Sequence, residues 1–237
     1  MLILFLNKLN KKIMENSIDD LIQLNELAYG NINQENLPFL LVDNHFTILK
    51  DNFLDFPYPQ IDETELEIEN LIRIQDNAKK GKNWNAQYKF MKSADQNLDS
   101  LFVKFYLKND LVFDQKYIGR IKTDLTALVM QLKMYYQRAR PYQVAHYTKQ
   151  DLIPFNSASA NTPAYPSGHS TQAYFIGLVE SFRFPHKAKE IKKFCSMIAK
   201  SREIMGVHYE SDTEFGKTIA LALSKHPSII KRYFTEK

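Results

Sequence analysis

Apolar residues recur at three- and four-residue spacing along most of this chain, and the rhythm fails over one long stretch, from Pro141 to Pro166. Each periodic segment carries an apolar stripe that only another helix can cover, so the pattern predicts an all-α fold, a helical bundle with its site between facing helices. Asn16-Ser17 can cap a helix carrying Ile18, Leu21, Ile22, Leu24 and Leu27, closed by Gly30. Two apolar runs, Phe39 to Val42 and Phe46 to Leu49, flank Asp43-Asn44 and suit a small hairpin. Asp62 opens a helix with Leu66, Ile68, Leu71, Ile72 and Ile74 that Gly81 ends. Further helices are predicted over about 84–91, 94–107, 113–139, 169–184, 188–205 and 208–225, with Pro185 and Pro227 as stops. The stretch from Pro141 to Pro166 is read as a loop, and a loop that long inside a compact domain is usually functional or disordered.

The 237 residues suit a single domain, 1–237, in which 1–112 is a helical N-terminal part without an assigned role and 113–226 carries the motifs described below. The net charge of +4 is spread without a basic run, which argues against a nucleic-acid partner and suits a small anion. The single cysteine, Cys195, excludes an intramolecular disulfide and a cysteine metal cluster. No stretch approaches the roughly 18 consecutive apolar residues of a membrane span. The first six residues are largely apolar and lysines follow them, the reverse of a secretory signal, so the expected location is cytoplasmic.

Three short stretches carry chemistry. Lys133 and Arg140 lie seven residues apart, two helical turns, and Pro141 biases Arg140 away from helical geometry, which places that arginine at a helix end. With Arg138 between them they would equally suit a solvated basic face. Pro166-Ser167-Gly168-His169 closes the irregular stretch and opens a helix, where unpaired N–H groups and the positive dipole end favour an anion. Gly168 has no side chain to keep an oxyanion from its amide, and Ser167 can cap the helix, bond a phosphate, or both. Taken alone this is also an ordinary N-cap. In the third stretch, Ser201-Arg202 precedes Gly206, a helix terminator, and His208 then starts a new helix with Asp212 one turn on. Asp212 can hold one imidazole nitrogen of His208 and fix its tautomer. Together these residues supply three cations, two histidines and one carboxylate, enough to hold a phosphate, attack it with an imidazole and protonate the leaving oxygen.

The patterns K-x6-R-P, P-S-G-H and S-R-x5-H-x3-D, in this order from Lys133 to Asp212, resemble the signature of the type 2 phosphatidic acid phosphatase superfamily. Within it the chain resembles the soluble branch of bacterial non-specific acid phosphatases and vanadium haloperoxidases, although it departs from the second motif of the acid phosphatases, G-S-Y-P-S-G-H-T, where Ala164, Tyr165, P-S-G-H and Ser170 stand here. The resemblance implies that His208 attacks phosphorus and becomes a phosphohistidine, that Asp212 orients it, and that His169 protonates the leaving group and then activates water. It implies that Lys133, Arg140, Arg202, Ser167 and the Gly168 amide bind the phosphate oxygens. The expectation is a phosphoric monoester hydrolase acting on a small phosphorylated substrate, with no metal, no cofactor and vanadate as a phosphate-mimicking inhibitor. Two alternatives stay open: a vanadium haloperoxidase holding vanadate on the same ligands with His208 axial, and a silent phosphate-ligand binding protein. His45, His146, His186 and His226 match no motif and are read as structural, with His146 the best placed for a pocket wall. Trp84, Tyr135, Tyr136, Tyr142 and Tyr165 are read as core or rim packing that could shape a substrate mouth.

Overall fold

In the computed structural model, residues 34–59 and 61–234 are described. The helix expected between Asn16 and Gly30 lies outside them. The described residues form an all-α structure with nine α-helices, which are α1 (Ile61–Lys80), α2 (Trp84–Gln96), α3 (Leu98–Lys108), α4 (Gln115–Tyr136), α5 (Pro141–Tyr147), α6 (Gly168–Arg183), α7 (Ala188–Ile204), α8 (Glu210–Lys225) and α9 (Pro227–Tyr233).

The expected hairpin does not form. Gln34–Leu41 and Thr47–Phe53 are 3-10 helices. Asn44 explains the second: its Oδ1 accepts from the amides of Phe46 at 2.8 Å and Thr47 at 3.0 Å, and its own amide donates to Thr47 Oγ1 at 2.8 Å. These local bonds wind the chain into a helical turn instead of reversing it between two strands. Pro38, one residue ahead of the first run, has no N–H to give to a ladder.

Other boundaries differ for equally local reasons. The break between α2 and α3 falls at Asn97, whose Oδ1 caps the Ser100 amide at 3.0 Å, and not between residues 91 and 94. Helix α4 ends at Tyr136 because Gln137 turns left-handed, with φ 50°. Lys133 and Arg140 therefore do not share a face of one helix. Arg140 is extended (φ −71°, ψ 154°) and stands at the N-cap of α5, with Pro141 in the first turn, where its missing N–H costs nothing. The irregular segment is thus shorter than expected, running over 148–167. Helix α8 starts at Glu210, two residues later than expected, because the Asp212 carboxylate caps the Tyr209 amide at 2.9 Å and leaves His208 in the turn ahead of it.

Helix α6 lies at the centre, packed on α4, α7 and α8. Leu125, Leu128 and Leu132 of α4, Phe175, Ile176 and Val179 of α6, Ile198 of α7 and Phe215 and Ile219 of α8 are completely buried, and each large apolar side chain so buried stabilises the fold by about 1.5–3 kcal/mol. The approach of α8 to the start of α6 depends on Gly216, where a Cβ would stand 2.9 Å from the Ser167 carbonyl oxygen and from Thr171 Oγ1. That approach brings the N-terminal ends of α6 and α8 to one point.

Candidate active site

The first turn of α6 forms one wall. Ser167 accepts from the Ser170 amide at 3.4 Å and from the Ser170 hydroxyl at 2.9 Å, so it caps the helix. Its own amide donates to the Asp212 carbonyl oxygen at 3.0 Å, which ties this turn to α8. His169 follows in the same turn, half-buried.

Gly206 ends the run from α7 with φ +68°, a conformation that other residues rarely adopt, and the chain turns back to bring His208 into the interior. His208 is 2% exposed and Asp212 is fully buried. His208 Nδ1 lies 2.9 Å from Asp212 Oδ2, while Nε2 lies 2.9 Å from Arg140 Nη1. A guanidinium only donates and a carboxylate only accepts, so the two contacts assign one tautomer: Nδ1 carries the hydrogen and Nε2 presents its lone pair. Asp212 Oδ1 accepts from Arg138 Nη1 at 2.7 Å, and Arg138 Nη2 donates to Glu67 Oε2 at 2.8 Å and to Thr64 Oγ1 at 3.2 Å on α1. The Arg138 guanidinium carbon stacks 3.8 Å from the Tyr209 ring centre. Arg138 is therefore no part of a solvated basic face. It is 2% exposed and fixes the carboxylate that fixes His208.

The three cationic candidates each bond to the 148–167 segment, and Arg140 and Arg202 also to Val207 and Asp95. Lys133 Nζ donates to the carbonyls of Pro163 and Ala164. Arg140 donates through Nε to the Thr162 carbonyl at 2.7 Å and through Nη1 to the Val207 carbonyl at 2.7 Å. Arg202 donates to Asp95 Oδ1 at 2.7 Å, Ser159 Oγ at 3.0 Å and Ser157 Oγ at 3.2 Å, while its buried Nε has no hydrogen-bond partner. An orphaned donor on a buried guanidinium is costly unless an anion meets it.

Burial and this crowd of cations set the protonation states. Burial, then Arg140, Lys133, Arg202 and His169, push His208 well below the ordinary imidazole value of 6.5. Burial and Arg202 do the same to His169, against a smaller opposing pull from Asp95. Burial and Arg140 depress Lys133 well below 10.5. Burial raises the Asp212 carboxyl, and Arg138 and the Tyr209 amide oppose it. Burial also opposes the charge of Asp95, yet Arg202 with Ser157 and Ser159 draws its carboxyl down to about 2. The site thus has neutral imidazoles and a surplus of positive charge, which suits an anion.

Every residue singled out in the sequence, His208, His169, Asp212, Lys133, Arg140, Ser167, Gly168 and Arg202, is brought to this place by α4, α5, α6, α7 and α8. Arg138, Glu67 and Asp95 were not anticipated. The spacing R-x-R-P carried a hint of Arg138, but Asp95, 107 residues from Arg202, left no trace in the motifs. His146 is exposed on α5, in ring contact with Tyr147. Tyr136 and Tyr165 pack in the interior: Tyr136 donates to the Phe53 carbonyl at 2.6 Å and Tyr165 to the Pro57 carbonyl at 2.8 Å. No described helix is long and apolar enough to cross a membrane.

A cation cage over two facing helix starts, with an anchored imidazole at its floor, defines a class. Residues 123–235, just under half of the chain, match the model of the PAP2 superfamily. Among curated relatives, the non-specific acid phosphatase of Salmonella typhimurium (strain LT2) is 31% identical over 87 residues, 37% of this chain and 34% of its own. That of Salmonella typhi is 30% identical over 87 residues, again 37% and 34%. The chain thus spans about a third of the length of the curated relatives it matches. Among solved structures, a transmembrane PAP2-type phosphatidylglycerolphosphate phosphatase from Bacillus subtilis aligns over 79% of this chain and 87% of its own, at 18% identity and a TM-score of 0.34.

Proposed function

We propose that the chain hydrolyses phosphate monoesters without a metal ion, through a phosphohistidine on His208. The observation that carries this reading is the His208 ring: Nδ1 is anchored on Asp212, and Nε2 is neutral and stands among Lys133, Arg140 and Arg202. A neutral imidazole with its lone pair presented is a nucleophile that needs no separate base. The entering phosphate takes the Arg140 donor away from Nε2. Lys133, Arg140, Arg202 and the first amides of α6 hold the equatorial oxygens and the charge that builds on them. The Nε2–P bond forms as the ester P–O bond breaks, and the His169 proton goes to the leaving oxygen. Asp212, backed by Arg138, stabilises the resulting charge on His208. Water then attacks phosphorus, gives a proton to His169 and releases phosphate, which restores His208.

Both histidines lie below 6.5, for the burial and charge reasons given above. His208 must be unprotonated to attack, so kcat/KM falls as pH drops through its lowered value. His169 must be protonated to donate, so kcat/KM also falls as pH rises through its lowered value. The expected profile is a bell centred on the acid side of 6.5, read from kcat/KM between pH 4 and 9 with one substrate. A maximum above pH 7.5 would contradict the assignment.

Hydrolysis of p-nitrophenyl phosphate in excess EDTA tests the function itself. Turnover that EDTA leaves intact and vanadate inhibits is the expected outcome. Turnover that EDTA abolishes and a divalent metal restores would overturn the metal-free mechanism.

A further inference from the structure

Beside the Asp95–Arg202 pair lies a cavity of about 250 Å³, lined by Tyr88, Met91, Asp95 and Gln96 of α2 together with Phe155 and Met205. Two contacts join it to the phosphate site: Asp95 Oδ1 is 2.7 Å and Met205 Sδ 3.4 Å from Arg202 Nη1. His169 faces the same helix, since the Ala94 backbone and Asp95 both act on its ring. In an in-line displacement the leaving oxygen stands opposite His208 and within reach of the acid, His169. The organic part of the ester therefore leaves the phosphate toward α2 and the 155–158 segment.

We propose that this cavity holds the leaving group of the ester and selects a planar aromatic one. The inference rests on the phosphatase reading for the direction of the leaving oxygen. Its own observation is the wall: Tyr88 and Phe155, both lining the cavity, meet with ring centres 5.7 Å apart and form an aromatic corner, and Trp84 packs against each of them at 5.7 Å. Tyr88 keeps 42% of its surface exposed, and Phe155 is half-buried, so both present ring area to an occupant. A cavity of roughly 150 Å³ accommodates benzene, whereas pockets for whole drug-sized ligands run from about 300 Å³ upward. The volume here suits a single ring system attached to the phosphate held next door. Gln96 and Asn156 on the rim can donate to a ring heteroatom or substituent. Stacking on an aromatic corner rewards a flat π face and gives little to a flexible alkyl chain of the same size.

Non-hydrolysable phosphonates read the subsite without turnover. Benzylphosphonate and methylphosphonate would be titrated by calorimetry into the wild-type chain and into Phe155→Ala and Tyr88→Ala. The wild type is expected to bind benzylphosphonate about tenfold tighter than methylphosphonate. Each variant should lose most of that preference and keep the methylphosphonate affinity, which also reports a folded, intact phosphate site. Equal affinities in the wild type, no binding of either compound, or a variant that weakens both alike would overturn the proposal. The two readings separate cleanly. A benzyl preference lost in the variants, in a chain that turns over neither benzyl nor propyl phosphate, would remove the phosphatase and leave the aromatic subsite standing. Turnover with equal kcat/KM for the two esters and equal phosphonate affinities would do the reverse.

Discussion

His208→Ala is expected to lower kcat by at least about 10⁴-fold, because the step that makes the phosphoenzyme loses its nucleophile and water has no base placed to replace it. Binding should behave differently. Burial and the neighbouring cations keep His208 neutral near pH 7, so its removal takes no positive charge from the cage. Lys133, Arg140, Arg202 and the α6 amides remain to hold an anion. Inorganic phosphate should therefore inhibit, or bind by calorimetry, with an affinity within a few-fold of wild type. Loss of phosphate binding in parallel with kcat would mean that His208 serves the cage and not the chemistry.

Arg138→Ala is expected to cost the chain much of its stability as well as activity. It would leave Asp212 and Glu67 without their common partner, and the Arg138 and Asp212 side chains are only 3% and 0% exposed. Removing one member of a buried pair typically destabilises by about 3–5 kcal/mol, which for a chain of this size is roughly 6–20 °C in Tm. Asp212, Tyr209 and Glu67 hold the Arg138 guanidinium above its ordinary value despite its burial, so the arginine stays charged. The variant that folds should also show a fall in kcat with little change in KM, since an unheld Asp212 no longer fixes the His208 tautomer. Thermal unfolding read beside the kcat–KM split checks both parts. A Tm within 2 °C of wild type would refute the structural role.

The motifs made the floor of the candidate site legible because its residues are local in sequence. His208 and Asp212 are four residues apart, Ser167 and Gly168 sit on one helix start, and a glycine with positive φ marks the turn between Arg202 and His208. The long helices were legible too, since α1, α4, α6 and α7 each bury a stripe at helical spacing. What failed was of two kinds. Side chain–backbone bonds at Asn44 and Asn97 decided a turn and a helix break that apolar periodicity does not encode. The charged partners of the site arrive from far along the chain: Glu67 is 71 residues from Arg138, and Asp95 is 107 from Arg202. A cation in a motif shows its charge in the sequence, but whether a distant carboxylate neutralises it depends on packing. For that reason Arg138 read as a surface residue and proved to be a buried link between α1 and α8.

The most direct test of the account is to trap the intermediate. The chain would be mixed with a large excess of aryl phosphate in EDTA, quenched in alkali, in which a phosphoimidazole survives and an acyl phosphate does not, and mapped by mass spectrometry. One added phosphoryl group is expected on the peptide containing His208, absent after an acid quench and absent in His208→Ala. Turnover with no phosphoryl group on His208, or with the label on another residue, would contradict the account.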